Sequence, residues 1–350
     1  MLFAIGSFGT KFLAFFLVPF YTNFLSTEEY GTIDLLVNTA SLLLPVFTLC
    51  VYDSVMRFTI ADKENRQYLR LGCAITGVGA VALGAALWMT HVLAPRAVSG
   101  YGLAWIWLLF ACNAIFNLFT NYVRAVDRVA VMMQGSILNS LILLTMNIWL
   151  IARMKMGVSG YLISTVAGLT MASLYMALRC RKSSGCRLGR RPDDRRVTGE
   201  MLAYCAPLVF NAVAWWLNSS LDRYFVTAIC GVSDNGIYSV AYKIPNLLTS
   251  VQTVFTQAWS ISAITEFDRE DRDGFIGETY ELFSFVMVLA CSGIMLLNEP
   301  LSNVLYAKEF FAANRYVPYL LVAALFSGLG GYFGGIFAAV KNSRVSAAST

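Results

Sequence analysis

The sequence predicts an all-α integral membrane protein that crosses the bilayer many times. About ten continuous apolar stretches of about twenty residues follow one another along its 350 residues, and a membrane helix needs about 20 apolar residues to cross the hydrocarbon core. Apolar residues make up 57% of the chain and charged residues only 13%, whereas soluble domains carry about 25% charged residues. Transmembrane β-strands would give alternating segments of about ten residues, so membrane helices are the prediction.

The apolar stretches define the predicted spans in chain order. They are 2–24, 33–56, 69–92, 103–123, 129–152, 158–178, 203–229, 237–264, 275–297 and 316–340. The first has no basic segment before it and is longer than the apolar core of a signal peptide, so we expect it to be retained. Proline inside a helix removes a backbone hydrogen bond and bends the helix, so Pro19, Pro45, Pro207 and Pro245 predict kinks.

Basic residues are distributed unevenly between the connecting segments, and this predicts the orientation. With the N-terminus in the cytoplasm, 18 of the 26 Lys and Arg residues fall in cytoplasmic segments and five in outer loops, as the positive-inside rule expects. The net charge of +5 therefore indicates topology and attraction to anionic membrane lipid. It does not indicate a nucleic-acid partner.

The longest polar break divides the chain into two parts. Residues 1–180 form a predicted N-terminal lobe of six helices, 181–198 a basic cytoplasmic linker, and 199–350 a C-terminal lobe of about four helices. An acidic residue stands two positions before Gly31, after the first span, and again before Gly236, after the seventh. We expect two related lobes, the second of them truncated by at least two helices.

Several classes of function are disfavoured by motifs that the chain lacks. The eight cysteines are scattered without a CxxC motif, His91 is the only histidine, and there is no GxxxxGK[ST] sequence. We therefore expect no metal site, no cofactor and no built-in ATPase. If this protein moves a substrate uphill, the energy would come from a gradient of an ion such as H+ or Na+.

Three cations lie inside predicted spans, where a charge costs about 2.5–3.5 kcal/mol on insertion scales. Lys11 lies near the middle of the first span, Arg223 toward the outer end of the seventh, and Lys243 in the eighth. Amines and guanidinium groups in an apolar cavity are suited to holding a pyrophosphate anion, so these three are the candidate headgroup contacts. Alternatively, they pair internally, for example with Asp222 or Asp34, and only fix the packing of helices.

Asp53 and Arg57 stand four residues apart near the inner end of the second span. This spacing is typical of a local ion pair on a helix surface. The alternative is a gate or a site that couples transport to an ion, and Asp34 and Asp222 are further candidates for that role.

Polar side chains form stripes on two neighbouring spans. The fourth span carries Asn113, Asn117 and Asn121 at intervals of four residues, and the fifth carries Asn139 and Asn147. In hydrocarbon such amides bond across helices or line water. The stripes therefore predict either a surface for sugar hydroxyls or contacts that hold helices together.

Short segments of the chain resemble a known family of exporters. They are GSFGTKF at 6–12, VPFYT at 18–22 and LSTEEYGTID at 25–34, then DNGIYS at 234–239 and YKIP at 242–245. They resemble the Wzx-like polysaccharide biosynthesis proteins, the oligosaccharide flippases of the multidrug/oligosaccharidyl-lipid/polysaccharide (MOP) exporter superfamily.

The resemblance implies a two-lobed MOP/MATE-like bundle of about 12–14 helices around a central cavity. It implies a multi-pass flippase of the bacterial inner membrane that moves undecaprenyl-pyrophosphate-linked oligosaccharide by alternating access. The product would serve surface polysaccharide synthesis, such as O-antigen, capsule or exopolysaccharide. The implied partners are the polyprenyl-pyrophosphate-linked glycan, membrane lipid, and polysaccharide polymerases and glycosyltransferases.

Features of the sequence argue against three rival functions. A MATE-type ion-coupled antiporter of drugs or metabolites would share the fold, but cationic drugs favour buried carboxylates, and the charge in the middle of the first span is Lys11. A membrane enzyme such as a glycan polymerase usually carries a large outer loop, and the longest one here, 298–315, is short for a catalytic domain. A scaffold without transport would not explain charges in the membrane. We therefore predict a transporter and not an enzyme.

Overall fold

The computed structural model of the protein describes residues 15–63, 65–93, 100–181, 194–265 and 274–339. Every regular element in these ranges is helical, which confirms the predicted all-α class. Lys11, most of the basic linker, and parts of the first and last predicted spans lie outside the described residues.

The α-helices in the described ranges are numbered here in chain order. They are α1 (Phe15–Phe24), α2 (Thr27–Thr48), α3 (Val51–Ala61), α4 (Gln67–Leu93), α5 (Gly100–Ala125), α6 (Val129–Asn147), α7 (Gly157–Arg181), α8 (Asp194–Cys230), α9 (Val232–Ala241), α10 (Pro245–Thr265), α11 (Phe275–Leu296), α12 (Asn298–Leu305) and α13 (Val317–Ala339). A π-helical segment, Ile148–Arg153, continues α6, and a 3-10 helix, Lys308–Arg315, precedes α13.

Seven helical segments in the described ranges are long and apolar enough to cross a membrane. They contain α2, α4, α5, α6 with its π-helical extension, α7, α8 and α11. The 3-10 helix and α13 form an eighth candidate, bent by 51°. The chain is therefore a multi-pass membrane protein, as predicted, although two of the predicted spans are interrupted.

The second predicted span is broken into α2 and α3. The helix α2 continues through Pro45, and Leu49 and Cys50 then adopt left-handed backbone with φ of 52° and 53°. Residues other than glycine rarely adopt this conformation. Both residues are apolar, so hydropathy alone predicts an unbroken span.

The eighth predicted span is also divided, into α9 and α10, by a turn at residues 242–244. Pro245 is the first residue of α10, where the missing N–H of proline would have no partner in any case. Pro245 therefore starts a helix and does not kink one, which corrects the prediction. Pro45 and Pro207 do lie inside helices, α2 and α8.

The helices α2 and α9 cross at the two glycines that the sequence repeat matches. A Cβ atom built on Gly31 would lie 2.1 Å from the carbonyl oxygen of Val232, and one built on Gly236 would lie 2.0 Å from the carbonyl oxygen of Thr27. Each built Cβ would also lie 3.0–3.1 Å from the amide nitrogen of the other glycine. The contacts are reciprocal, like those between two elements related by a local two-fold axis. Glycine has no side chain, and this permits the close approach of the two helices.

Two of the four apolar cores among the described residues join the halves of the chain. The first joins α1 and α2 to α9 and later helices, through residues such as Tyr30, Val240 and Phe310. The second joins α3, α5, α6, α7 and α8, through residues such as Met176 and Met201. Each of these two cores draws on helices before and after the linker, so the two halves of the chain pack on each other.

Several basic turns meet at one end of the bundle. Arg66, between α3 and α4, donates to the carbonyl oxygen of Cys180 at 2.6 Å. Arg128, before α6, donates to the carbonyl oxygen of Arg179 at 3.2 Å. These turns therefore share the end at which the positive-inside pattern expects the cytoplasm.

Candidate functional site

An ion pair lies between the halves, near the crossing of α2 and α9. Nη1 of Arg223, in α8, donates to Oδ1 of Asp34, in α2, at 2.9 Å. The two side chains are 17% and 14% exposed, so water screens the pair weakly. For Arg223, the structure shows the internal pairing that the sequence left as an alternative.

The neighbouring carboxylate, Asp222, is held by two tyrosines. Its Oδ2 accepts hydrogen bonds from the hydroxyl groups of Tyr238, at 2.8 Å, and Tyr242, at 2.5 Å. The guanidinium group of Arg223 lies 5.0 Å from the centre of the Tyr242 ring, within cation–π range. Tyr242 therefore contacts both the acid and the base.

Lys243 lies in the turn between α9 and α10, beside this pair. It interacts electrostatically with Asp34, Arg223 and Tyr161, yet its side chain makes no hydrogen bond or ion pair with any residue that the structure describes. We call Asp34, Asp222, Arg223 and Lys243 the charged cluster. It balances two acids against two bases, and one base has no acidic partner in direct contact.

Further polar groups surround the charged cluster. The hydroxyl groups of Thr39 and Tyr224 share a hydrogen bond of 2.7 Å, and Nδ2 of Asn235 lies 3.5 Å from Oδ2 of Asp34. Nε of Arg223 is buried without a partner in the described part of the chain. Within the same part, no group of three His, Cys, Asp or Glu residues is placed to hold a metal ion.

Sequence reasoning missed the tyrosines of this site. Tyr238 and Tyr242 stand in segments that carry the family resemblance, but they were assigned no role. The available signal was their spacing of one helical turn, which places two hydroxyl groups on one face of a span. That the acceptor is Asp222, on another helix, follows only from the packing of α8 against α9.

The predicted ion pair between Asp53 and Arg57 is not formed. Arg57 lies over the ring of Tyr204 in α8, 5.0 Å from its centre, and Asp53 interacts electrostatically with Arg124 of α5. Both residues remain in α3, so their spacing is unchanged, and side chains of the neighbouring helices α8 and α5 take the place of the local pair. Asp53 lies in the first turn of α3, where free backbone N–H groups stabilise a carboxylate.

The asparagines of the two stripes behave differently. On α5, the amide of each stripe residue donates one N–H to the backbone carbonyl four residues earlier, at 2.9–3.0 Å, so this bond is made within the helix itself. On α6, Asn147 is buried and donates to the hydroxyl of Tyr21 in α1 at 2.7 Å. Asn139 packs against Gly168 of α7. In this structure the α6 residues hold helices together.

The halves are also tied at the Gly31 end by hydrogen bonds that we call the Thr27 clamp. The hydroxyl of Thr27 lies 2.7 Å from Oγ of Ser233 and donates to Oε2 of Glu309 at 3.2 Å. Nζ of Lys308 donates to the carbonyl oxygen of Asn23 at 2.6 Å. Such bonds contribute about 0.5–1.5 kcal/mol each, so a modest free energy is enough to break the hydrogen bonds of the clamp.

Comparison with protein families gives one match over most of the chain. A family model described as polysaccharide biosynthesis protein matches residues 1–267. No curated protein matches the sequence.

Solved structures match the fold. An inward-facing multidrug resistance MATE family transporter of the MOP superfamily matches with a TM-score of 0.62 at 14% identity, over 94% of this chain and 83% of its own. MATE in complex with MaD5 gives 0.63 at 15%, over 98% and 83%. A Pyrococcus furiosus MOP superfamily transporter, for which a reverse polarity of the binding pocket suggests a different function, gives 0.51 at 12%, over 96% and 84%. The chain therefore has the MOP transporter fold.

Proposed function

The chain belongs to the polysaccharide biosynthesis protein family, and from this membership and its fold we propose that it is a flippase for lipid-linked oligosaccharide. It moves undecaprenyl-pyrophosphate-linked oligosaccharide to the outer leaflet of the bacterial inner membrane, where polymerases and glycosyltransferases complete a surface polysaccharide. The observation that supports this substrate best is the charged cluster between the halves.

The charged cluster offers two bases to a pyrophosphate headgroup. Lys243 has no acidic partner in contact among the described residues, and Arg223 keeps its Nε without a partner. A guanidinium group binds phosphate oxygens through parallel N–H bonds, and an amine adds a compact positive charge. Lys11, outside the described residues, is the third proposed contact.

The charged cluster contains as many acids as bases, and this balance links the binding of an anionic headgroup to the binding of a proton or Na+. While Asp34 holds Arg223, a phosphate oxygen must compete with a carboxylate for the same N–H groups. A proton or Na+ that neutralises Asp34 releases the Arg223 side chain for the substrate, because a neutralised carboxyl group no longer attracts the guanidinium group. A gradient of that ion can then drive transport through the coupling between the two ligands.

Alternating access follows from two lobes, residues 1–180 and 199–350, that move against each other. The positive-inside pattern assigns the N-terminus and the basic turns to the cytoplasm, so the Thr27 clamp closes the outer side. The contact of Arg57 with Tyr204 joins α3 to α8 and is the candidate inner gate. A substrate that binds one state more tightly shifts the equilibrium between the two.

Deletion of the gene in its host tests the substrate class. Accumulated polyprenyl-linked oligosaccharide, together with loss of surface polysaccharide, is the expected result. Unchanged lipid intermediates with altered sensitivity to cationic drugs would reject the flippase and favour a MATE-type antiporter.

Complementation of the deletion tests the charged cluster. The triple variant Lys11→Met, Arg223→Gln, Lys243→Met is expected to reach the membrane and to restore little surface polysaccharide, because no cation remains for the headgroup. The matched control is Arg153→Gln, Lys155→Met, since both side chains are exposed outside the cluster. Full export by the triple variant would remove the cluster from the mechanism.

A further inference from the structure

The helix α5 carries three asparagines whose amides are oriented by their own helix. Nδ2 of Asn113 donates to the carbonyl oxygen of Leu109 at 3.0 Å, Nδ2 of Asn117 to that of Asn113 at 2.9 Å, and Nδ2 of Asn121 to that of Asn117 at 3.0 Å. An NH2 group has two donor hydrogens, and its carbonyl oxygen is an acceptor. Each side chain therefore keeps one N–H and its Oδ1 for another partner, in an orientation that is already set.

The three Oδ1 atoms are open. Asn113, Asn117 and Asn121 are half-buried, and their Oδ1 atoms are neither hydrogen-bonded within the described residues nor among the buried oxygens that lack a partner. The two asparagines of α6 contrast with them, because the Oδ1 atoms of Asn139 and Asn147 are buried without a partner in the same part of the chain. Only the α5 row can therefore reach a ligand without a rearrangement of helices.

The row faces the inside of the bundle. Leu109, one turn before Asn113, is buried in one cluster with Ala40 of α2 and Leu162 of α7. Residues four apart share a face of a helix, so Asn113 and Asn117 continue from Leu109 along the face that α5 turns toward α2 and α7. An accessible amide on that side opens into space between helices and not into lipid.

We propose that Asn113, Asn117 and Asn121 form an amide row that binds the hydroxyl groups of the glycan. The row extends over about 12 Å, from eight residues at 1.5 Å each, which is longer than one sugar ring. A hydroxyl group both donates and accepts, so it matches an amide that presents one N–H and one oxygen. The row carries no charge and offers nothing special to a phosphate anion.

This inference rests on the proposed function and divides the substrate between two surfaces. The charged cluster takes the pyrophosphate, and the amide row takes the neutral sugars. Because the amides are held by their own backbone, binding does not need to order them, and preorganised groups bind more tightly. The row acts on affinity for the glycan and leaves affinity for the headgroup unchanged.

The test uses two probes on the purified protein in lipid nanodiscs. One is undecaprenyl pyrophosphate without sugar, and the other is the lipid-linked oligosaccharide extracted from the deletion strain. We expect the triple variant Asn113→Leu, Asn117→Leu, Asn121→Leu to bind the first probe as the wild type does. It should lose affinity for the second by about 2–10-fold per asparagine, the equivalent of one neutral hydrogen bond each.

A matched control is Thr145→Val on α6, which also removes a side chain that bonds to its own helix, here at 2.8 Å from an exposed position. It should bind both probes as the wild type does. If the triple variant binds both probes normally, the amide row is rejected while the flippase stands. If the deletion strain accumulates no lipid-linked oligosaccharide, the proposed function fails, and the row fails with it. Retained affinity for the first probe shows that the triple variant is folded.

Discussion

At the scale of single residues, the charged cluster combines a satisfied pair with an unsatisfied base. Asp34 and Arg223 neutralise each other, while Lys243 remains without a partner among the described residues. Replacing a buried pair by apolar groups is often neutral or stabilising, so stability alone does not account for these residues. The proposed binding role would account for them, because an anion needs a cation that is not already engaged.

Loss of Lys243 should separate stability from function. In Lys243→Met an apolar side chain of similar length replaces a poorly solvated cation, so the free energy of unfolding should rise by about 1 kcal/mol. Affinity for undecaprenyl pyrophosphate should fall at least tenfold. Thermal unfolding in detergent and a binding titration measure the two quantities. A variant that is less stable and binds normally would show that Lys243 is a packing residue.

Substitution of one member of the ion pair between Asp34 and Arg223 should lower the free energy of unfolding more than substitution of both members. Arg223→Gln leaves the Asp34 carboxylate without its countercharge and should destabilise the protein by about 3 kcal/mol. The double variant Asp34→Asn, Arg223→Gln should recover most of this loss. The control is the exposed pair Arg196 and Glu200, 77% and 51% exposed, where single substitutions should change stability by under about 1 kcal/mol. Equal losses in the single and double variants would contradict the coupling.

At the scale of elements, the reciprocal crossing of α2 and α9 joins the two repeats. The repeat in the sequence identifies Gly31 and Gly236 as equivalent, but equivalence does not require contact. The structure adds that each glycine lies against the backbone of the other helix. A side chain at either position would force the helices apart and move Asp34, which stands one turn after Gly31, relative to α8 and α9.

Alanine at either glycine should therefore disturb the crossing to a similar degree. Gly31→Ala and Gly236→Ala would each place a methyl group 2.0–2.1 Å from a carbonyl oxygen, and overpacking of this kind costs about 1–3 kcal/mol. Unfolding measurements check the loss. Gly102→Ala is the control, since a Cβ there meets nothing within 4 Å, and its stability should not fall. A tolerated alanine at both crossing positions would mean that the helices separate without cost.

The broken spans show where element prediction stops. Pro245 is a visible signal for the start of α10. Whether this proline kinks a continuous helix or begins a new one depends on the turn at 242–244. The break at Leu49 and Cys50 has no signal of its own, because both residues are apolar and neither is glycine or asparagine. There the packing of the helices overrides backbone preference.

At the scale of the whole molecule, the two halves are closed at the Gly31 end. The Thr27 clamp and the glycine crossing both lie there, and the proposed alternating access requires this end to open. The few hydrogen bonds of the clamp are weak against the several kcal/mol by which a substrate can favour one state. Closure at this end should therefore be reversible.

A covalent bond across the clamp should stop transport. The hydroxyl oxygens of Thr27 and Ser233 are 2.7 Å apart, close enough for a disulfide in the double variant Thr27→Cys, Ser233→Cys. Oxidation should abolish export and a reductant should restore it. The single variants Thr27→Cys and Ser233→Cys are the controls and should export under both conditions. Export by the fully cross-linked protein would exclude opening at this end.

The sequence by itself determined the membrane class, most span positions, the basic end and the residue types of the site, because hydropathy, charge and local repeats are properties of neighbouring positions. The tertiary structure decided which charges meet. It paired Arg223 with Asp34 from 189 positions away, and it gave Asp53 and Arg57 neighbours on two different helices. It buried the asparagines of α6 between helices and left those of α5 accessible. Those outcomes depend on how helices from two halves pack, and no pattern along a single helix encodes the identity of its distant neighbours.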